Sequence, residues 1–398
     1  MKVLLLGTIV SDDQRESFLE KGISPAPADI AQKYLITSLV KNNDVDSVHT
    51  ISSARIKTYP SVKIKKVKTQ KWSFGESEVN TVGFLNLPLI NIVSRQHNII
   101  SEARKWARMH KNDEVAIIAY SLHTPFLKAA IAVKKIIKNA KISVIIADLP
   151  KYMSTGNAVR RMLKKIDEGT IKRLMPSVDK FILYSKYMAQ AYNLPSEKWI
   201  VMEGLFDADR LDTTETEKYS ERVCIYAGNL NPKYAIGTLI EAFERTSVQD
   251  ARLWIFGNPE AGERLKEQYS ECKRFEYKGM LLPEEMFRVM QKARLLINPR
   301  PSTLPLSRYS FPSKTFEYMA SGTPVLMTKL PSLPEEYCPY LYLFEDESID
   351  GFARTLENVL SLSDDELNEM GRRARLFIKE QKNSDAQVKK IIDFIIKD

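Results

Sequence analysis

Cysteine is nearly absent: Cys224, Cys272 and Cys338 are the only three in 398 residues. They stand too far apart for a zinc spacing or a disulfide framework, so three reduced thiols are expected. No apolar run reaches the ~18 residues needed to span a bilayer. The start, Met1-Lys2-Val3-Leu4-Leu5-Leu6-Gly7, reads as a strand rather than a signal peptide, so the expected location is the cytoplasm. Gly-x-Gly-x-x-Gly is missing too, which removes the main support for a nicotinamide or flavin cofactor. No recognised nucleic-acid module accompanies the basic charge, so nucleic acid is not an expected partner.

What is present is the composition of a globular chain, 44% hydrophobic and 27% charged. Its length predicts two domains or so. Apolar strand candidates at Lys2–Gly7, Val48–Ser52, Val115–Tyr120, Ile142–Ala147 and Val178–Ser185 alternate with helical sequence, including a helix from about Ala28 to Lys41. That is the pattern of a doubly wound α/β sheet, which puts its ligand loops at the carboxyl ends of its strands. Two residues lie in such loops. His123 follows the strand ending at Tyr120, and Asp148, in Ile145-Ile146-Ala147-Asp148, ends the next one. Each fits a local hydrogen-bonding or capping role as well as a catalytic one.

The chain is organised around Tyr309-Ser310-Phe311-Pro312-Ser313-Lys314-Thr315-Phe316-Glu317-Tyr318-Met319-Ala320-Ser321-Gly322-Thr323-Pro324-Val325. Pro312 suits the first turn of a helix, and Gly322 with Pro324 stops it, predicting about three turns. Phe316, Met319 and Ala320 share one face, while Ser313 and Glu317 lie on the flank. The first-turn amides around Ser313 to Thr315 are open donors at the positive helix end, with the Lys314 charge beside them: a phosphate site.

This segment resembles the nucleotide-binding helix of family-4 type glycosyltransferases of the GT-B fold, especially bacterial polysaccharide enzymes reading Pro-Ser-Lys-x-Phe-Glu-Tyr-x-Ala-x-Gly-x-Pro-Val. The resemblance implies two doubly wound, Rossmann-like domains facing across a cleft. Residues 1–207 form the acceptor side and 208–383 bind the nucleotide sugar, while the final helix 384–398 packs back on the first domain; Asp212 to Ser220 reads as the linker. Glu317 becomes the second glutamate of the family's Glu-x7-Glu motif, which grips the ribose; Tyr309 stands in place of the first. Gly228-Asn229-Leu230-Asn231-Pro232-Lys233-Tyr234-Ala235 resembles the opening Gly-Arg-Leu-x-Pro-x-Lys-Gly, with Asn229 and Tyr234 where the cations usually stand. Lys233, one place displaced, and Arg300, at the end of Ile297-Asn298-Pro299-Arg300, are expected with Lys314 to carry the diphosphate. The main chain of Met280 or Leu281 reads the base, and His123 contacts the donor sugar.

The implied reaction is metal-free transfer of a sugar, with retention, from a UDP-linked donor to a hydroxyl of a polysaccharide or lipid-linked acceptor, with no cofactor. Asp44-Val45-Asp46 and Asp207-Ala208-Asp209 are short patterns read as solvated turns. Between Lys128 and Lys180, thirteen basic residues face four acidic ones, an excess equal to the +9 of the whole chain. There Val159 to Leu174 reads as a basic amphipathic helix suited to an anionic inner-membrane surface. The apolar stretch Val82 to Val93 is either core or a lip that meets lipid. Two alternatives stay open: a sugar-nucleotide 2-epimerase of the same fold, and a non-catalytic subunit that binds a membrane or a partner transferase. Ser363-Asp364-Asp365-Glu366 and Ser384-Asp385-Ala386-Gln387 both read as capping boxes opening the last two helices.

Overall fold

A computed structural model describes residues 1–21, 27–147, 158–207 and 216–397. The chain divides into two units, Met1–Leu205 with Ser384–Asp398, and Phe206–Asn383.

The first unit holds an eight-stranded sheet in the spatial order Trp199–Val201, Lys180–Leu183, Lys141–Ile146, Val115–Tyr120, Lys2–Gly7, Ser47–Ser52, Ser77–Thr81, Gln70–Phe74. Only the last pair is antiparallel. The central strands are continuous apolar runs, fully buried from Val3 to Leu6 and at Ile117 and Ile118, because helices cover both faces of a parallel sheet. Two elements escape the sequence pattern. Helix Asp12–Leu19 buries no residue and is held by its Ser11 cap, so it carries no apolar stripe. The hairpin Gln70–Phe74/Ser77–Thr81 turns on Gly75, at φ 56°, and makes an edge that the βα alternation does not announce.

The stretch 82–93 is divided between core and surface. Val82 and Phe84 are buried, whereas Leu89, Ile90, Ile92 and Val93 stand exposed at the start of helix Ile90–Met109. The basic helix spans Ala158–Leu174 straight through Gly169; it buries Ile171 and leaves Met162 and Ile166 in solvent. Among the described residues no helix is long and apolar enough to cross a membrane. The last helix, Ser384–Ile396, seats Val388, Ile391, Ile392 and Ile395 in the first unit's core against Val3, Leu5 and Leu35. Its expected capping box does not form. Gln387 instead donates to buried Glu203 at 2.8 Å, and the Ser384 hydroxyl has no partner, while the box at Ser363 and Glu366 is made.

The second unit is a six-stranded, wholly parallel sheet, in order Phe275–Tyr277, Ala251–Phe256, Arg222–Ala227, Leu295–Asn298, Val325–Thr328, Tyr342–Phe344. Helix Ile236–Arg245 packs Leu239, Ile240 and Phe243 on one face, and helix Lys314–Ala320 packs Phe316, Met319 and Ala320 on the other. Buried Arg274 closes the far end of the first of these helices, donating to the carbonyls of Phe243, Thr246 and Val248. The stretch expected as linker is anchored from residue 216 on. Lys218 donates to the carbonyls of Gln291 and Ala293, each at 2.9 Å, and to the Thr323 hydroxyl at 3.0 Å. Burial pushes its ammonium down to about 8.

Candidate functional site

In an open parallel sheet, ligands bind outside the carboxyl ends of the strands where the strand order reverses. In the second unit that point lies between Arg222–Ala227 and Leu295–Asn298. The loop after the first strand is built on Tyr226, whose hydroxyl curls back to donate to the Asn229 carbonyl at 2.8 Å. A side chain at Gly228 would meet that hydroxyl at 2.5 Å, so glycine is required there. The Asn229 side chain is committed to the loop itself, accepting from the Asn231 amide at 3.0 Å. Lys233 is exposed, its ammonium 5.3 Å from the Tyr234 ring.

Ala235 then starts helix Ile236–Arg245 in the left-handed conformation, at φ 58°. An L side chain there costs roughly 1–2 kcal/mol, and glycine gives back part of that gain through its freer unfolded chain. Ala235→Gly is therefore expected to stabilise the protein by about 0.5–1 kcal/mol, read as a rise in the urea midpoint at unchanged slope.

Arg300 lies on the other side of the switch point and is buried. Its Nε donates to the Ser307 hydroxyl at 3.0 Å, and that hydroxyl donates to the Pro301 carbonyl at 2.7 Å. The Nη2 end is buried with no partner. Burial lowers its pKa, and the Tyr234 and Tyr226 phenols oppose the shift. No carboxylate among the described residues pairs with this guanidinium. A fixed, desolvated, half-satisfied cation at a ligand-binding edge is a receptor for an anion. A cavity of about 630 Å³ opens beside these loops, but its wall includes Glu345, Asp346 and Glu347, which repel an anion.

Helix Lys314–Ala320 has two turns rather than three, because Pro312 and Ser313 stay outside it. Thr315 departs from its expected role. Its amide already donates to the Pro312 carbonyl at 2.9 Å, and its hydroxyl faces the core beside Met327. Ser313 is exposed and makes no capping bond. Lys314 is half-buried with no hydrogen bond or ion pair among the described residues; burial lowers its pKa and Glu317 opposes. Glu317 is open to solvent on the next turn, and the protein around it raises its pKa against the pull of Lys314. The helix is docked by Tyr318, whose hydroxyl accepts from the Ala227 amide at 2.8 Å and donates to the Ala227 carbonyl at 3.0 Å. Sequence reasoning missed Tyr318, since its apolar flank reads as ordinary core.

Tyr309 is half-buried and ends the short helix Pro305–Tyr309, in the same connection as Arg300 and Lys314. Met280 is exposed, and neither its amide nor that of Leu281 bonds to another backbone group among the described residues; Gly279, at φ 86°, turns the chain just before them. His123 belongs to the first unit, at the reversal between Lys2–Gly7 and Val115–Tyr120. Ser121 at φ 80° aims its loop, and the ring meets Phe126 edge-on at 4.8 Å. Burial, with help from Arg95 and Arg55, pushes its pKa down to about 3, so it is neutral. Asp148 and Asp209 lie outside the described residues. Asp46 is taken by the N-terminal ammonium at 3.0 Å.

Residues 221–362 match the family model described as Glycosyl transferases group 1. No curated protein matches the chain in sequence. Sucrose-phosphate synthase from Thermosynechococcus elongatus is similar in structure at TM-score 0.61 and 14% identity, covering 99% of this chain and 98% of that one. HepE from Anabaena, in complex with UDP, aligns at TM-score 0.62 and 13% identity over 99% of each chain. The trehalose-6-phosphate protein from E. coli bound with UDP-2-fluoro glucose aligns at TM-score 0.66 and 10% identity, covering 100% of this chain and 99% of that one. At such identities the likeness is one of fold. The chain is built on the GT-B glycosyltransferase fold, as two Rossmann-like α/β domains, and its second unit carries the group 1 match.

Proposed function

We propose that the chain transfers a sugar from a UDP-linked donor to a hydroxyl of a polysaccharide or lipid-linked acceptor, without a metal and with retention of configuration. The observation that carries this reading is the buried Arg300 guanidinium with its open Nη2 at the switch point of the group 1 unit. The two solved relatives holding UDP or a UDP-sugar supply the donor class. As the glycosidic bond breaks, negative charge builds on the leaving diphosphate. Arg300 is held through Nε before the reaction begins and so stabilises that charge with little reorganisation, and the half-buried Lys314 adds a second positive charge. Glu317 accepts the ribose hydroxyls, and the free main chain at Met280 and Leu281 meets the base. Ser313 and Lys314 present the open amides of the helix start, and Lys233 adds exposed positive charge. The basic helix Ala158–Leu174, with Met162 and Ile166 exposed, fits an anionic membrane surface on which a lipid-linked acceptor is met.

The test is a thermal-shift titration with UDP-, GDP- and ADP-sugars. UDP-sugars are expected to raise the melting temperature, because a ligand of the folded form stabilises it once its concentration exceeds its dissociation constant. In Glu317→Gln the carboxylate's charge-assisted bonds become neutral ones, and the affinity falls about tenfold. Wild-type binding falls off on acidification at a pH above the ordinary glutamate range, since the raised pKa protonates Glu317 early. No shift with any nucleotide sugar would overturn the reading.

A further inference from the structure

The first unit contains a second orphaned guanidinium. Arg95, on helix Ile90–Met109, lies 4.0 Å over the Phe84 ring, with Nε and Nη2 both buried and without a partner. Phe84 packs in a small cluster with Ala54, and the charge of the next residue, Arg55, acts on both Arg95 and His123. Next to Arg95, Gln96 accepts from Lys128 of helix Thr124–Lys134 at 2.9 Å, tying the two helices together one turn beyond His123. His123 leaves its Nδ1 buried and unpartnered. Three segments thus bring two guanidiniums and an imidazole together, at the edge where this sheet reverses its strand order. Among the described residues, no carboxylate pairs with any of them. Burying a guanidinium without an acceptor is costly, and none of the described residues supplies one.

We propose that Arg95, Arg55 and His123 of the first unit form a binding site for a phosphate group. Resting on the glycosyl-transfer reading, that phosphate belongs to the acceptor: the substrate is a phosphorylated or phospholipid-linked one, held by its charge with its hydroxyl presented. Two sources share this chemistry, a soluble sugar phosphate and a lipid headgroup. The exposed Leu89, Ile92 and Val93, one turn before Arg95, bring the second into consideration.

The test uses the full chain carrying Arg300→Gln and Lys314→Gln, which removes the two cations proposed to hold phosphate in the second unit, titrated calorimetrically with inorganic phosphate. Adding Arg95→Gln, or Arg55→Gln, is expected to weaken phosphate binding tenfold or more. Arg55 is exposed, so its variant keeps the test valid if Arg95→Gln fails to fold. A smaller loss in both, or no phosphate binding at all, overturns the proposal. Sedimentation with phosphatidylglycerol and with phosphatidylcholine vesicles identifies the source. Capture on the anionic vesicles that depends on Arg55 and Arg95 points to a headgroup, and phosphate binding without capture points to a soluble acceptor; either upholds the site. UDP binding by the wild type is measured in parallel. Its failure removes the donor reading and leaves the phosphate site standing or falling on its own titration.

Discussion

Arg300→Met is expected to weaken UDP binding about a hundredfold while leaving the unliganded protein at least as stable as wild type. The two halves of this result have one cause. In the free protein the guanidinium is buried, holds Ser307 through Nε alone, and leaves Nη2 without an acceptor. Methionine has a similar volume and no charge to desolvate, and the Ser307 hydroxyl keeps its bond to the Pro301 carbonyl. Replacing a poorly paired buried charge by an apolar side chain is often neutral or stabilising. With a diphosphate present the same guanidinium gains a charge-assisted pair, worth about 1.5–3 kcal/mol. Its loss near the top of that range corresponds to about a hundredfold in affinity. Calorimetric titration with UDP and a melting curve without it read the two halves. A variant that melts earlier yet binds UDP normally would show Arg300 to be a structural strut.

Tyr318→Phe is expected to cost about 3 kcal/mol of stability. Strand Arg222–Ala227 pairs with Leu295–Asn298 only at Cys224 and Ile225. Beyond that point the strands part, as they must at a reversal of strand order, and Ala227 has no ladder partner on that side. The Tyr318 hydroxyl fills the gap, accepting from the amide and donating to the carbonyl. Phenylalanine keeps the packing but leaves a buried donor and a buried acceptor unmet, at about 1–3 kcal/mol each. Chemical denaturation measures the loss, and a change under 1 kcal/mol would mean that the gap has another filler.

Those two residues also mark how far the sequence could be read. The parallel strands declare themselves as apolar runs, and the loops that follow them carry His123, Gly228 and Arg300, so the ligand edges of both sheets were legible. Pro312 and Gly322 bracket helix Lys314–Ala320 nearly correctly. What escaped was decided by partners distant in the chain. Whether a guanidinium is exposed and paired, like Arg264 with Glu260 at 2.8 Å, or buried and open, like Arg300 and Arg95, has no local signature. Thr315 stands where an anion-binding threonine is expected, yet the core beside strand Val325–Thr328 claims its hydroxyl through Met327. Ser384 and Gln387 have the spacing of a capping box, but Glu203, 184 residues earlier, outbids the helix end for the glutamine. The edge hairpin at residues 70–81 is polar on one face and interrupts an otherwise regular alternation.

The placement of the last helix bears on how the chain is made. Val388, Ile391, Ile392 and Ile395 complete a core whose other members begin at Val3, so the domain synthesised first lacks a wall until residue 395 has emerged. Domains generally acquire structure in the order they emerge. Here that order is reversed in effect: the second unit has all its parts at residue 383, while the first waits, with an open apolar face, for the thirteen-residue helix Ser384–Ile396.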